Sequence, residues 1–222
     1  MNKNILFKGN HNVGESCKMM NGNGCYDKGF ALPGTRRLCV MREGRAVIRE
    51  WKIPKPTVLV DTREQQPFDF VGSHPNWIGA QRTATLKTGD YSVEGMENLI
   101  ALERKSLVDA IQSVMIRRDA FIRSCERLAT FRWKAILIEA TYEDMKSHYR
   151  DLGDDFQTDA HPNAVSGTYD AIEAKFGIPI IYTSRCRDLA SERAASWLSK
   201  HFTYWWLEQN GHTRTLIDTD GI

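Results

Sequence analysis

Residues 98–115 read NLIALERKSLVDAIQSVM, and their hydrophobic rhythm changes halfway through. Leu99–Leu102 is an unbroken apolar run, the pattern of a buried strand. From Ser106 to Val114 the pattern turns helical, and Ser106-x-x-Asp109 is close to a capping box that would start that helix. Between the two lies Glu103-Arg104-Lys105. Glu103 and Lys105 are two apart, so on an extended chain they project from the same face. A strand delivering two charged side chains to one point is the seed of the reading that follows.

Working outward, the same logic recurs. Thr57–Val60 is a β-branched run that ends at Asp61. Arg82–Leu86 and Tyr91–Val93 predict strands around the turn Thr88-Gly89-Asp90. On the C-terminal side, Asp119–Phe131 predicts a helix with Phe121, Ile122, Cys125 and Leu128 on one face. Ala135–Ile138 predicts a buried strand, Thr141–Tyr149 and Ala164–Phe176 helices, and Ile178–Tyr182 a strand. Asp188–Glu208 predicts a long helix ended by Asn210-Gly211. Strands first and then alternating strands and helices imply an α/β sandwich with a mixed central sheet.

Residues 1–35 are rich in Gly and Asn without periodicity and read as loop. Residues 36–41 and 45–50 flank Glu43-Gly44 and predict a hairpin. Ile53-Pro54-Lys55-Pro56 reads as a linker. The expected division is a basic N-terminal extension, residues 1–55, and a main domain, residues 56–222.

The chain has 222 residues, 41% hydrophobic and 26% charged, a globular composition with no apolar run long enough to span a bilayer. The N-terminus lacks a secretory signal pattern, so a cytoplasmic location is expected, or a nuclear one in a eukaryote. The five cysteines are expected to stay reduced there. The net charge of +2 hides an uneven distribution. Residues 1–56 carry +7, residues 57–103 carry −4, and residues 104–138 carry +5. An acidic centre between basic segments suits an enzyme that holds a divalent cation and grips a polyanion around it.

Asp61, Asp90 and Glu103 each stand at the end of a predicted strand, where a sheet can gather side chains from distant segments. Carboxylate oxygens are hard ligands for Mg²⁺ or Mn²⁺. A bound ion of this kind acidifies water and polarises a phosphoryl oxygen, and a nearby ammonium stabilises developing negative charge. This chemistry is hydrolysis of a phosphodiester. Asp90 and Glu103 are the expected main ligands, with Lys105 handling the water and Asp61 and Glu64 completing the site. Taken alone, Asp…Glu-x-Lys is also a common solvent-facing ion-pair pattern.

The wider context narrows the choice. Val58-Leu59-Val60-Asp61-Thr62-Arg63-Glu64, Gly89-Asp90-Tyr91 and Glu103-Arg104-Lys105-Ser106-Leu107-Val108-Asp109 occur in that order. Together they closely resemble the signature of the XPF-type structure-specific endonucleases, over roughly residues 57–183. The resemblance implies a restriction-endonuclease-like three-layer core and dependence on Mg²⁺ or Mn²⁺. It further implies incision of DNA near junctions of single and double strands. Carried over by motif, Asp61, Asp90 and Glu103 hold the metal and Lys105 activates water. Arg63, Glu64, Arg104 and Asp109 support the site. Arg117 and Arg118, where the family often has Gly-Arg, are candidate phosphate contacts.

The resemblance also marks departures. Roughly 40 residues follow Tyr182 and read mostly as one helix, so no tandem helix-hairpin-helix module is expected within this sequence. Basic residues of the N-terminal extension, among them Lys8, Arg36, Arg42 and Arg49, are a possible substitute grip on DNA. His11, Cys17, Cys25 and Cys39 match no compact zinc motif, and reduced thiols are the default reading. The run Phe202, Tyr204, Trp205, Trp206 and Leu207 could stack bases, but packing in a core or an oligomer interface is the favoured reading. A homodimer is the expected assembly. The competing class is a non-catalytic DNA-binding subunit, which intact Asp90, Glu103 and Lys105 oppose.

Overall fold

Six strands form the central sheet in the order β4-β3-β5-β6-β7-β8. They are β3 (Thr57–Asp61), β4 (Ala80–Ala84), β5 (Tyr91–Val93), β6 (Ile100–Ser106), β7 (Trp133–Glu139) and β8 (Ile180–Tyr182). This computed structural model describes residues 35–42, 45–149, 152 and 158–211. The sheet is mixed: β3 runs parallel to β4 and antiparallel to β5, β5 is antiparallel to β6, and β6, β7 and β8 run parallel. The helices are α1 (Phe70–Ser73), α2 (Leu107–Met115), α3 (Arg118–Ala129), α4 (Tyr142–Lys146), α5 (Pro162–Phe176) and α6 (Arg187–Gln209).

The apolar runs are explained by burial on both faces of the sheet. Along β7, Ile136 and Ile138 enter one core with residues of α2, α3 and α5, while Ala135 and Leu137 enter a second core with residues of α6. In β6, Ala101 faces the first core and Ile100 and Leu102 the second. Helices therefore cover both faces, giving the expected three-layer α/β sandwich. The aromatic end of α6 packs inward: Phe202 and Leu207 are buried, and Trp205 and Trp206 lie against the second core.

The elements differ from the sequence reading in instructive places. The hairpin exists as β1 (Thr35–Arg42) paired antiparallel with β2 (Arg45–Pro54). Its second strand runs through Ile53-Pro54, which were expected to be linker. Proline is tolerated at a strand end, where no further ladder bond is required. The expected strand Arg82–Leu86 is instead Ala80–Ala84, because parallel pairing with β3 sets Ala80 opposite Thr57 and Ala84 opposite Asp61. The helix expected over Thr141–Tyr149 is a short one, capped by Thr141 and ended by Lys146. Helix α1, four residues started by the Asp69 side chain, carried too little periodicity to foresee. Of the candidate zinc ligands, His11, Cys17 and Cys25 lie outside the described residues, as do the side chains of Cys39 and of the basic residues within 1–52, and most of the acidic stretch 151–159.

Candidate active site

Strands β5 and β6 hold the centre of the site. Tyr91 pairs with Leu102 in antiparallel register, and both turn into the second core. One residue outward, side chains point to the other face, so Asp90 and Glu103 come to lie side by side. Backbone bonds fix this approach: Asp90 N–H donates to Leu102 O (2.9 Å), and Arg104 N–H donates to an Asp90 carboxylate oxygen (2.7 Å). Gly89 makes the turn possible. Its φ is +78°, and an added Cβ would sit 3.2 Å from Leu102 O and 3.3 Å from Ala101 Cβ.

Both carboxylates line a groove of about 480 Å³ together with Arg63, Glu64, Lys105, Asp109 and Arg117. Lys105 Nζ donates to Glu103 Oε1 at 3.1 Å and stands 4.9 Å above the Phe121 ring. The expected pairing of Glu103 and Lys105 on one strand face is thus observed. Burial first, and the neighbouring Glu103 charge second, push the Asp90 carboxyl up to about 7, against the donated N–H of Arg104. Two acids crowded this closely leave negative charge that a cation would relieve.

Arg104 alternates to the opposite face of β6. Its Nε donates to Glu139 at the end of β7, and Nη1 lies 3.4 Å from both Glu64 oxygens. Arg187 from α6 reaches the same Glu139 oxygen at 3.2 Å. Burial opposes the charged Arg104, but the hydrogen bond to Glu139 and the charges of Glu139 and Glu64 together outweigh it and raise the guanidinium pKa. Phe68 stacks on Tyr91 at 5.6 Å, and its N–H donates to Tyr91 Oη, which pins the chain just after Glu64. Glu139 and Arg187 were not singled out from sequence. A signal existed for Glu139, since AILIE ends an apolar strand on an acid as VLVD and IALE do.

Asp61 sits apart from the groove lining and is buried. Its two oxygens accept four hydrogen bonds: from Arg63 N–H (2.9 Å), Arg63 Nε (2.6 Å), Arg63 Nη2 (3.0 Å) and Leu86 N–H (2.7 Å). That fills the lone-pair capacity of a carboxylate. Burial disfavours its charge, but these donors outweigh burial and hold the carboxyl below its usual range. Asp61 therefore fixes Arg63, whose guanidinium lines the groove. Asp109 accepts from the Ser106 hydroxyl at 2.7 Å, while its N–H donates to that same Ser106 oxygen, so Ser106 caps α2 as expected. Arg117 bonds Gln112 at 2.9 Å within the groove wall. Arg118 turns toward Thr168 of α5, at 3.4 Å.

The donor set at Asp90 and Glu103 is all oxygen, which suits Mg²⁺ or Mn²⁺. Among the described residues, no group of three or more acidic, histidine or cysteine side chains converges on one point. A pair of carboxylates still fits Mg²⁺, which commonly takes one or two of them and completes its shell with water and substrate phosphate.

This three-layer sandwich with a carboxylate–lysine groove is the class of architecture that the restriction-endonuclease-like reading describes. A model of the ERCC4 domain matches residues 60–192, and the chain belongs to that family, whose domains are nucleases acting on DNA. Among solved structures, "XPF from Aeropyrum pernix" is 20% identical, covers 73% of this chain and 72% of its own, and has a TM-score of 0.50. "XPF from Aeropyrum pernix, complex with DNA" is 21% identical, covers 66% of each chain, and has a TM-score of 0.46. At such identities the likeness to the first concerns the fold alone. The comparison with curated proteins returned no match. No helix among the described residues is long and apolar enough to cross a membrane.

Proposed function

We propose that this chain is a divalent-metal-dependent DNA endonuclease with Asp90, Glu103 and Lys105 at its centre. The supporting observation is the meeting of two carboxylates and an ammonium in one groove, delivered by adjacent strands. Asp90 and Glu103 would hold the ion. What Mg²⁺ or Mn²⁺ supplies, when held there, is charge neutralisation at a phosphate and a more acidic water. Lys105, held by Glu103, orients the attacking water and stabilises charge gathering on the phosphoryl oxygens. Arg63, braced by Asp61, and Arg117 offer guanidinium groups to flanking phosphates.

Two expected roles are assigned differently on this geometry. Asp61 was expected at the metal site, directly or through water, but direct ligation would require it to give up hydrogen bonds from Arg63 and Leu86. We assign it to positioning Arg63. Glu64 accepts from Gln66 N–H at 2.7 Å and faces Arg104, so we assign it to fixing the groove wall. We further propose residues 56–222 as the nuclease unit, with residues 1–55 as an accessory, and a homodimer as the working assembly.

Junctions of single- and double-stranded DNA are the substrate class proposed from the family resemblance. The test is cleavage of flap, fork, four-way-junction, duplex and single-stranded DNA with Mg²⁺, Mn²⁺ or EDTA. Cleavage of branched substrates with either metal, absent in EDTA, is expected. Tight DNA binding without cleavage under every metal condition would instead support the non-catalytic subunit. Cutting at a fixed sequence in unbranched duplex would support a restriction-type enzyme.

A further inference from the structure

Two grooves meet at the carboxylate pair. Besides the wide one there is a narrower groove of about 240 Å³ that shares Arg63, Asp90 and Glu103 with it. Its remaining wall comes from the β4–β5 turn, through Lys87, and from α3, through Ser124 and Arg127. Nothing in the hydrolytic roles assigned above uses these three side chains.

Their chemistry is that of an anion site. Lys87 Nζ bonds only a neutral amide, Asn98 Oδ1, at 2.9 Å. Arg127 forms no ion pair with a carboxylate among the described residues. Ser124 and Arg127 are three apart on α3, so they share a helix face. Cations from the β3–α1 loop, the β4–β5 turn and α3 thus converge beside two acids. Arg63 is paired with Asp61, so it is Lys87 and Arg127 whose positive charge no carboxylate among the described residues neutralises. A guanidinium, an ammonium and a hydroxyl together are donors suited to phosphate oxygens.

We propose that the narrow groove holds a second phosphodiester of the cleaved DNA strand, next to the scissile one, through Arg127, Lys87 and Ser124. This rests on the reading that Asp90 and Glu103 mark the scissile phosphate. The strand would then run through both grooves, with the carboxylates between two phosphate grips. Contact on both sides fixes register, so that the attacked bond is set by position along the strand and not by base identity.

The test is a chemical cycle on the cleavage-deficient Glu103→Gln protein with Mg²⁺. A fluorescein-labelled fork carries a single neutral methylphosphonate, moved one position at a time along the cleaved strand. One position beside the scissile bond is expected to weaken binding about tenfold, as loss of one charge-assisted contact should. Adding Arg127→Ala weakens binding of the unmodified fork by a similar factor and abolishes the penalty at that position. Lys87→Ala provides the same cycle independently. Arg123→Ala, on an exposed part of α3 outside both grooves, keeps the wild-type profile.

Unchanged affinity and an unchanged profile in both Arg127→Ala and Lys87→Ala would overturn the proposal. So would weaker binding with the profile intact, because that is a structural effect and not a local contact. Cleavage by the wild-type protein is scored in parallel. Its absence sinks the nuclease reading of Asp90 and Glu103, whereas intact cleavage with an insensitive profile sinks the narrow groove alone.

Discussion

Asp90 carries its charge against two opponents, burial and Glu103, and its carboxyl is pushed up to about 7. An acid whose folded pKa lies above its unfolded value near 3.8 stabilises the fold at low pH and loses that contribution as pH rises through 7. Asp90→Asn keeps an acceptor for Arg104 N–H and removes the charge. In EDTA at pH 8 it should therefore raise unfolding stability, on the order of 1–3 kcal/mol, with little effect near pH 4. The same variant should lose cleavage. Denaturant melts at both pH values check the first part, and equal stability at pH 8 would contradict the proposed strain. Identities at this scale were largely legible in the sequence, because Asp90, Glu103 and Lys105 meet as their spacing implied. The direction of Asp61 was not. Whether a carboxylate at a strand end faces a groove or turns back onto Arg63 and Leu86 depends on contacts that only the folded chain supplies.

Strands β5 and β6 set the site, and the turn between β4 and β5 sets strand β5. Gly89 adopts positive φ, and a Cβ added there would crowd the Leu102 carbonyl. Gly89→Ala combines backbone strain with a contact that must be relieved by movement of β6. A destabilisation of about 1–3 kcal/mol is expected, with a drop in cleavage larger than the stability loss explains, since Asp90 follows directly. Cleavage at 10 °C, where the variant remains folded, separates the two effects; full activity there would show that Asp90 tolerates a shifted turn. The type of most elements was readable from periodicity, while their ends followed pairing. Strand β6 runs to Ser106 because Glu103, Arg104 and Lys105 continue the parallel ladder with Ile136, Leu137 and Ile138. Charged residues in a strand hide that continuation, since they break the apolar pattern at the place where the site is built.

Across the whole molecule, two cores on opposite faces of one sheet hold these strands in place. Two histidines lie against tryptophans of the second core, in environments that oppose protonation. His74 is lowered chiefly by burial, with its Nε2 at 3.1 Å from Ser191 Oγ and its ring stacked on Trp77. His201 is likewise lowered by burial, beside Trp197 and Trp133. A histidine whose folded pKa falls below its unfolded value of about 6.5 adds stability that is complete above that pH and lost as pH falls through the folded value. Asp90 has the opposite sign, so the measurement belongs in Asp90→Asn. There the unfolding midpoint should fall between pH 7 and 5, and His74→Gln with His201→Gln should flatten that fall. The most direct measurement of the account is an anomalous difference map from crystals soaked in Mn²⁺. It predicts one peak at the carboxylates of Asp90 and Glu103, lost in Glu103→Gln. A fully occupied ion elsewhere in the chain, with none between those two side chains, would contradict it.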